Sequence, residues 1–119
     1  MTSQLASQHC APCAGDVPAL EGEELEALFH QLDADWNLVE QHHLEKDFSF
    51  DSYLDAIDFV NTVSHIALEQ DHHPDIYFTF GNVKITLWTH KIGGLSVNDF
   101  VMAARVEEAY KAAPLSAQI

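Results

Sequence analysis

Ile76-Tyr-Phe-Thr-Phe80-Gly81-Asn82-Val83-Lys-Ile-Thr-Leu-Trp-Thr-His90 is the stretch that decides the fold class of this chain. Two runs rich in β-branched and aromatic residues flank Gly81-Asn82, which reads as the turn of a β-hairpin. In the second run Val83, Ile85 and Leu87 share one face, and Lys84, Thr86, Trp88 and His90 share the other. That alternation is what a sheet with one buried face requires. Moving toward the C-terminus, Gly93-Gly94 breaks the strand and Ser96 opens a final helix carrying Phe100, Ala103, Ala104 and Tyr110 on its apolar side. Moving toward the N-terminus, Pro74 cannot extend a helix, so the helix before it must stop near Gln70. Asp51-Ser52 offers that helix an N-cap, and the expected inward stripe is Tyr53, Ile57, Val60, Ser64 and Ala67. Further upstream, Trp36–Glu40 and His43–Phe50 read as two short strands. Leu25, Leu28, Phe29 and Leu32 give helical spacing from Glu21 to about Asp33, with Glu21, Glu23 and Glu24 at the positive end. The resulting order, α-β-β-α-β-β-α, predicts an α+β fold in which helices pack on one face of a four-stranded antiparallel sheet.

The chain has 119 residues, enough for one core. Residues 1–19 are small, polar and proline-containing, and read as a flexible arm lacking a packed face. Residues 20–113 read as the folded domain, and 114–119 as a tail. The arm has neither a basic region nor an apolar core, so it does not read as a signal peptide, and the cytoplasm is the expected compartment. No apolar run approaches the roughly 18–20 residues that span a bilayer. The formal net charge is −14, concentrated in residues 1–75, where Lys46 is the only Lys or Arg. Such a surface repels phosphate backbones, which argues against direct nucleic-acid binding. Cys10 and Cys13 have the spacing of a redox pair or half a zinc site, but their place in the arm favours an inert or incidentally oxidised pair.

The residues able to carry chemistry are His72, His73, His90 and Asp99. Imidazole titrates nearest neutrality, so three of them and a carboxylate within thirty residues of sequence make a candidate proton-transfer site. His72-His73-Pro74 follows a helix C-terminus as a rigid loop. His90 belongs at the rim of the open sheet face with Trp88, an aromatic suited to a flat heteroaromatic ligand. Asp99 stands three residues after Ser96, where a capping box also places an acid. Zinc held by three imidazoles is disfavoured, since no HxH or HxxxH spacing brings them to one face. His9, His30, His42, His43 and His65 show no partner pattern.

His72-His73-Pro74-Asp75, Thr89-His90 and Gly94-Leu95-Ser96-Val97-Asn98-Asp99-Phe100, together with Trp36 and the Leu44–Phe50 run, resemble the pterin-4a-carbinolamine dehydratase family over about residues 20–112. The Cys10–Cys13 arm and Asn98–Arg105 are most similar to bacterial members that accompany phenylalanine hydroxylase. The resemblance implies dehydration of 4a-hydroxytetrahydrobiopterin to quinonoid dihydrobiopterin without metal or organic cofactor, recycling the pterin of aromatic amino-acid hydroxylases. It implies catalysis by His72, His73 and His90, and pterin contacts from Asp99, Trp88 and Pro74. It also implies pairing of subunits into a homodimer or homotetramer, with a hydroxylase as pathway partner. A non-enzymatic dimerisation or assembly role on the same fold is the alternative. The chain departs from the family pattern at Leu68, where an acidic or polar residue is usual; a carboxylate restored there is expected to raise turnover.

Overall fold

The structure is a computed structural model that describes residues 5–8, 10 and 18–113. Its elements are α1 (Gly22–Phe29), β1 (Asn37–Val39), β2 (His43–Ser49), α2 (Tyr53–Gln70), β3 (Asp75–Thr79), β4 (Asn82–Leu87) and α3 (Val97–Lys111), with short 3-10 turns at Leu5–Ser7 and His90–Ile92. The strands form one antiparallel sheet in the order β1-β2-β4-β3. The expected order and architecture are therefore present.

The hairpin builds the sheet from its centre. Thr79 pairs with Asn82, so the corner residues are Phe80 and Gly81 rather than Gly81 and Asn82. Alternation survives this one-residue correction: Val83, Ile85 and Leu87 are fully buried. Their cross-strand partners Phe48, Lys46 and Leu44 on β2, and Phe78 and Ile76 on β3, lie on the same inner face. β4 ends at Leu87, so His90 does not terminate a strand but opens the 3-10 turn beyond it.

α2 starts where expected, with the Ser52 hydroxyl accepting from the Asp55 N–H at 3.1 Å. Its buried stripe is Ala56, Phe59, Val63, Ala67 and Gln70, so the expected Ile57, Val60 and Ser64 each stand one position off it, Ala67 is common to both, and Tyr53 is outside it. Both stripes satisfy the helical period, and the larger aromatic decides between them. Phe59 inserts between Phe48, Phe50 and Tyr110, at ring separations of 5.0, 5.2 and 5.7 Å, while Tyr53 stays half exposed. α3 is the central helix: Phe100, Val101, Met102, Ala103, Ala104 and Val106 are all buried, so far more of its circumference is covered than one apolar stripe predicts. α1 stops at Phe29 rather than near Asp33, and the chain continues in tight turns through Gln31 and Leu32.

The N-terminal residues account for part of that coverage. Leu5, in the segment expected to lack a packed face, is 2 % exposed and lies in the same core cluster as Leu25 and α3. The Arg105 guanidinium donates to the Gln8 carbonyl and pins the segment to α3. The tail, His9 and Cys13 lie outside the described residues.

Glu107 is one of the polar groups built into the core. The Glu107 carboxylate accepts from the Asp33 N–H and from Trp36 Nε1, both at 2.7 Å, and so fixes the turn between α1 and β1. Burial pushes its pKa above the ordinary carboxylate range, against the lowering effect of those donors and of Lys46. Its protonated form is thus favoured by folding, a contribution fully present below the ordinary Glu range and lost as pH rises through the raised pKa. Glu107→Gln removes that titration. Calorimetry at pH 4 and pH 7 should show the melting temperature of the variant gaining on that of the wild type as pH rises. A constant difference between the two proteins would contradict this.

Candidate active site

The site is assembled where α2 ends, β4 ends and α3 begins. Asp71 closes α2 in the left-handed conformation (φ 52°), and the N–H groups of Asp71 and His72 both return to the Ala67 carbonyl. That reversal drives His72 inward and leaves His73 exposed. Pro74 then launches β3. On the far side, Thr89 and Gly94 form an isolated bridge that closes the loop carrying His90. A Cβ on Gly94 would lie 2.7 Å from Ala19 Cβ, so only glycine allows this approach to the N-terminal segment.

Asp99 joins these parts. It is fully buried, and Oδ2 accepts from the Ser96 N–H at 2.9 Å, one arm of the capping box on α3. The same oxygen accepts from the Thr89 hydroxyl at 2.8 Å, so the Ser96 hydroxyl donates to Thr89 Oγ1 in turn. Oδ1 lies 2.6 Å from His72 Nε2. A carboxylate can only accept, so Nε2 carries the proton in this pair and the ring is held in one orientation. Capping and the contact with His72 are thus made by different oxygens of one side chain.

A cavity of about 580 Å³ opens beside this pair. His72, His73, Pro74, Trp88 and His90 line it, so five of the six residues selected from sequence meet at one void, and Asp99 stands behind His72. Trp88 and His90 stack with ring centroids 3.8 Å apart, giving the cavity a flat aromatic side. His73 reaches outward, with Nε2 4.0 Å from the Asp71 carboxylate. Among the described residues, no group of three or more His, Cys, Asp or Glu side chains is arranged to hold a metal ion.

Leu68 is 71 % exposed and is not among the lining residues, so a carboxylate there has no direct path to the cavity within one chain. The expectation of a higher turnover with a carboxylate at this position thus draws no support from the cavity lining. Gln70 is the α2 residue that reaches the cavity instead.

Sequence reading missed Cys10. Its N–H donates to Gln70 Oε1 at 2.8 Å and its thiol contacts the Asn98 carbonyl at 3.7 Å, making it a wall of the cavity. No local pattern reveals this, since both partners are at least sixty residues away. Burial pushes the thiol up to about 11 from an ordinary 9.0, with Arg105 opposing and Asp99 reinforcing.

A family model for pterin 4 alpha carbinolamine dehydratase matches residues 18–109. A protein of Rubrobacter xylanophilus classed with these dehydratases is 52% identical over 105 residues, covering 88% of this chain and 97% of the relative. One from Alkaliphilus metalliredigens is 41% identical, covering 89% and 96%. Among solved structures, a transcriptional coactivator/pterin dehydratase from Brucella melitensis superposes with TM-score 0.72 at 25% identity, over 77% of this chain and 98% of its own. A pterin dehydratase-like protein described as a RuBisCO assembly factor in the alpha-carboxysome gives TM-score 0.56 at 26% identity, over 66% and 95%.

The raised Cys10 pKa has a measurable consequence. In a Cys13→Ser variant, iodoacetamide should modify Cys10 on the order of a hundredfold more slowly at pH 7.5 than the same protein denatured, because the thiolate is the nucleophile. The rate should climb about tenfold per pH unit up to pH 10. Equal rates in folded and denatured protein would show that the thiol is not buried against the cavity. The match over residues 18–109 and the relatives' identity over most of their length make this chain a member of the pterin 4 alpha carbinolamine dehydratase family.

Proposed function

We propose that this protein dehydrates 4a-hydroxytetrahydrobiopterin to quinonoid dihydrobiopterin and water, so recycling the pterin used by aromatic amino-acid hydroxylases. The observation that carries the reading is His72 held by a buried Asp99 at one side of a cavity whose other side is the Trp88–His90 stack. The reaction breaks the C4a–O bond. The hydroxyl leaves as water after receiving a proton, and the adjacent ring nitrogen loses one as the C=N bond forms. Two groups that titrate near neutrality can exchange both protons.

In this reading His72 and His90 exchange protons with the hydroxyl and the ring nitrogen. With Nε2 committed to Asp99, His72 has Nδ1 left for the substrate. His73 orients and polarises the pterin from the rim. Trp88 gives its flat face to the bicyclic ring, Pro74 fixes the floor of the loop, and Asp99 acts as a positioning residue through His72. The chemistry calls for no metal or organic cofactor. Pairing of subunits into a homodimer or homotetramer belongs to the same reading, supported by an exposed β3 edge with Tyr77 outward. So does a cytoplasmic location alongside a hydroxylase partner.

A second reading, a non-enzymatic assembly role, draws on the likeness to the carboxysomal protein. The His72–Asp99 pair favours the enzyme, because an assembly surface has no use for an imidazole oriented into a cavity. Stopped-flow measurement of carbinolamine decay separates the two. Wild-type protein should accelerate it, and His72→Ala combined with His90→Ala should remove about 10²–10⁴-fold of that acceleration. Decay unaffected by wild-type protein would favour the assembly role.

A further inference from the structure

His42 has no place in the reading above, yet it is built into the same aromatic surface. It ends the connection Glu40-Gln41-His42 between β1 and β2, in which Glu40 and Gln41 are left-handed (φ 52° and 57°). Such a turn is normally made by Asn-Gly, because a Cβ in this region is strained. Here two ordinary side chains bear the strain, and backbone strain of this kind persists where the surroundings over-determine the geometry. The turn is closed by the His42 N–H donating to the Val39 carbonyl at 2.9 Å.

Two neighbours fix the His42 ring, His43 and Trp88. Its Nδ1 lies 3.0 Å from His43 Nδ1, so one ring donates and the other accepts. His43 Nε2 in turn lies 3.8 Å from the Glu45 carboxylate. The second neighbour is Trp88, whose ring centroid lies 4.5 Å from that of His42. Trp88 itself stacks on His90 at 3.8 Å. A continuous array of rings thus runs from the β1–β2 turn to the cavity rim, and His42 is half-buried within it while His90 is exposed.

The physical need for such a support is plain. His90 opens a short 3-10 turn beyond the end of β4 and is exposed, so its orientation depends on the indole beneath it. Trp88 also lies past the last ladder pair of β4, with Leu87 bonded to Leu44, so its plane is set by side-chain packing rather than by the sheet. His42 is the aromatic neighbour that restricts it.

We propose that His42 is a positioning residue of the site, holding the Trp88 indole and through it the His90 imidazole in place at the cavity. The inference deepens the dehydratase reading and rests on it for its catalytic consequence. His42→Ala should lower kcat roughly tenfold with little change in KM, since a reacting group shifted by a fraction of an ångström is misaligned whether or not substrate binds. His42→Phe, which keeps the ring but cannot titrate or hydrogen bond, should restore kcat to within about twofold.

A readout independent of turnover decides the geometry. The ring protons of His90, assigned by their disappearance in His90→Gln, should be shifted upfield by the stacked indole. That shift should collapse in His42→Ala and return in His42→Phe, with far-ultraviolet circular dichroism unchanged in both. An unaltered His90 shift in His42→Ala overturns the proposal. So does a collapsed shift with kcat intact, which would make the array ornamental to the chemistry. If wild-type protein shows no turnover, the dehydratase reading falls, and the His90 shift still decides whether His42 orders the array.

Discussion

The buried carboxylate of Asp99 is the constraint on which the rest of the site depends. Removing a charged group from water is costly unless several donors replace the lost hydration. Here the donors come from three separate elements: the Ser96 N–H at the start of α3, the Thr89 hydroxyl beyond β4, and the imidazole of His72 beyond α2. None of the three elements can move without leaving the charge under-satisfied. The junction that stabilises the helix start is therefore also the junction that orients an imidazole into the cavity, so stability and site geometry are coupled through one side chain.

The cavity is completed from outside that junction. The family match begins at residue 18, whereas Cys10 contributes to the wall and Leu5 to the core. Gln70 and Asn98, which hold Cys10, are immediate neighbours of the α2 terminus and of Asp99. The N-terminal segment is thus seated across the two helix ends that present His72 and Asp99. A neutral thiol there offers a ligand a small, weakly polar surface where water would otherwise enter.

How much of this was legible in the sequence follows from the range of the interactions. The hairpin was readable because Val83, Ile85 and Leu87 impose a period of two that one misplaced turn residue does not disturb. The helix starts were readable because Ser52 and Ser96 cap locally. The stripe of α2 is not legible locally, because the choice between Tyr53–Ile57–Val60 and Ala56–Phe59–Val63 depends on packing of Phe59 against Tyr110, far away in sequence. For Asp99, a spacing of three from Ser96 cannot tell a cap from a site residue, and in the structure it both caps α3 and holds His72. Cys10 reads as half of an inert pair and His42 as without a partner, since the residues they meet, Gln70 and Trp88, are dozens of residues distant. Leu68 stands out on family pattern, while its exposure is a property of the helix rotation that the pattern does not contain.

The backbone adds a last regularity. Among the described residues, the non-glycine positions with positive φ are Glu40, Gln41 and Asp71. Each strained segment is followed at once by an imidazole of the site region: Gln41 by His42, and Asp71 by His72. A left-handed residue costs about 1–2 kcal/mol when it carries a Cβ, and glycine would remove that cost. A glycine would equally widen the range of directions in which the next side chain could leave the turn. With side chains at these positions, the chain accepts a local cost that the buried sheet and α3 can offset, and it fixes the departure angle of the His72 ring that lines the cavity and of the His42 ring that packs on Trp88. Strain at these turns and order at the imidazoles are then two aspects of one arrangement, in which the core supplies stability and the turns convert part of it into orientation.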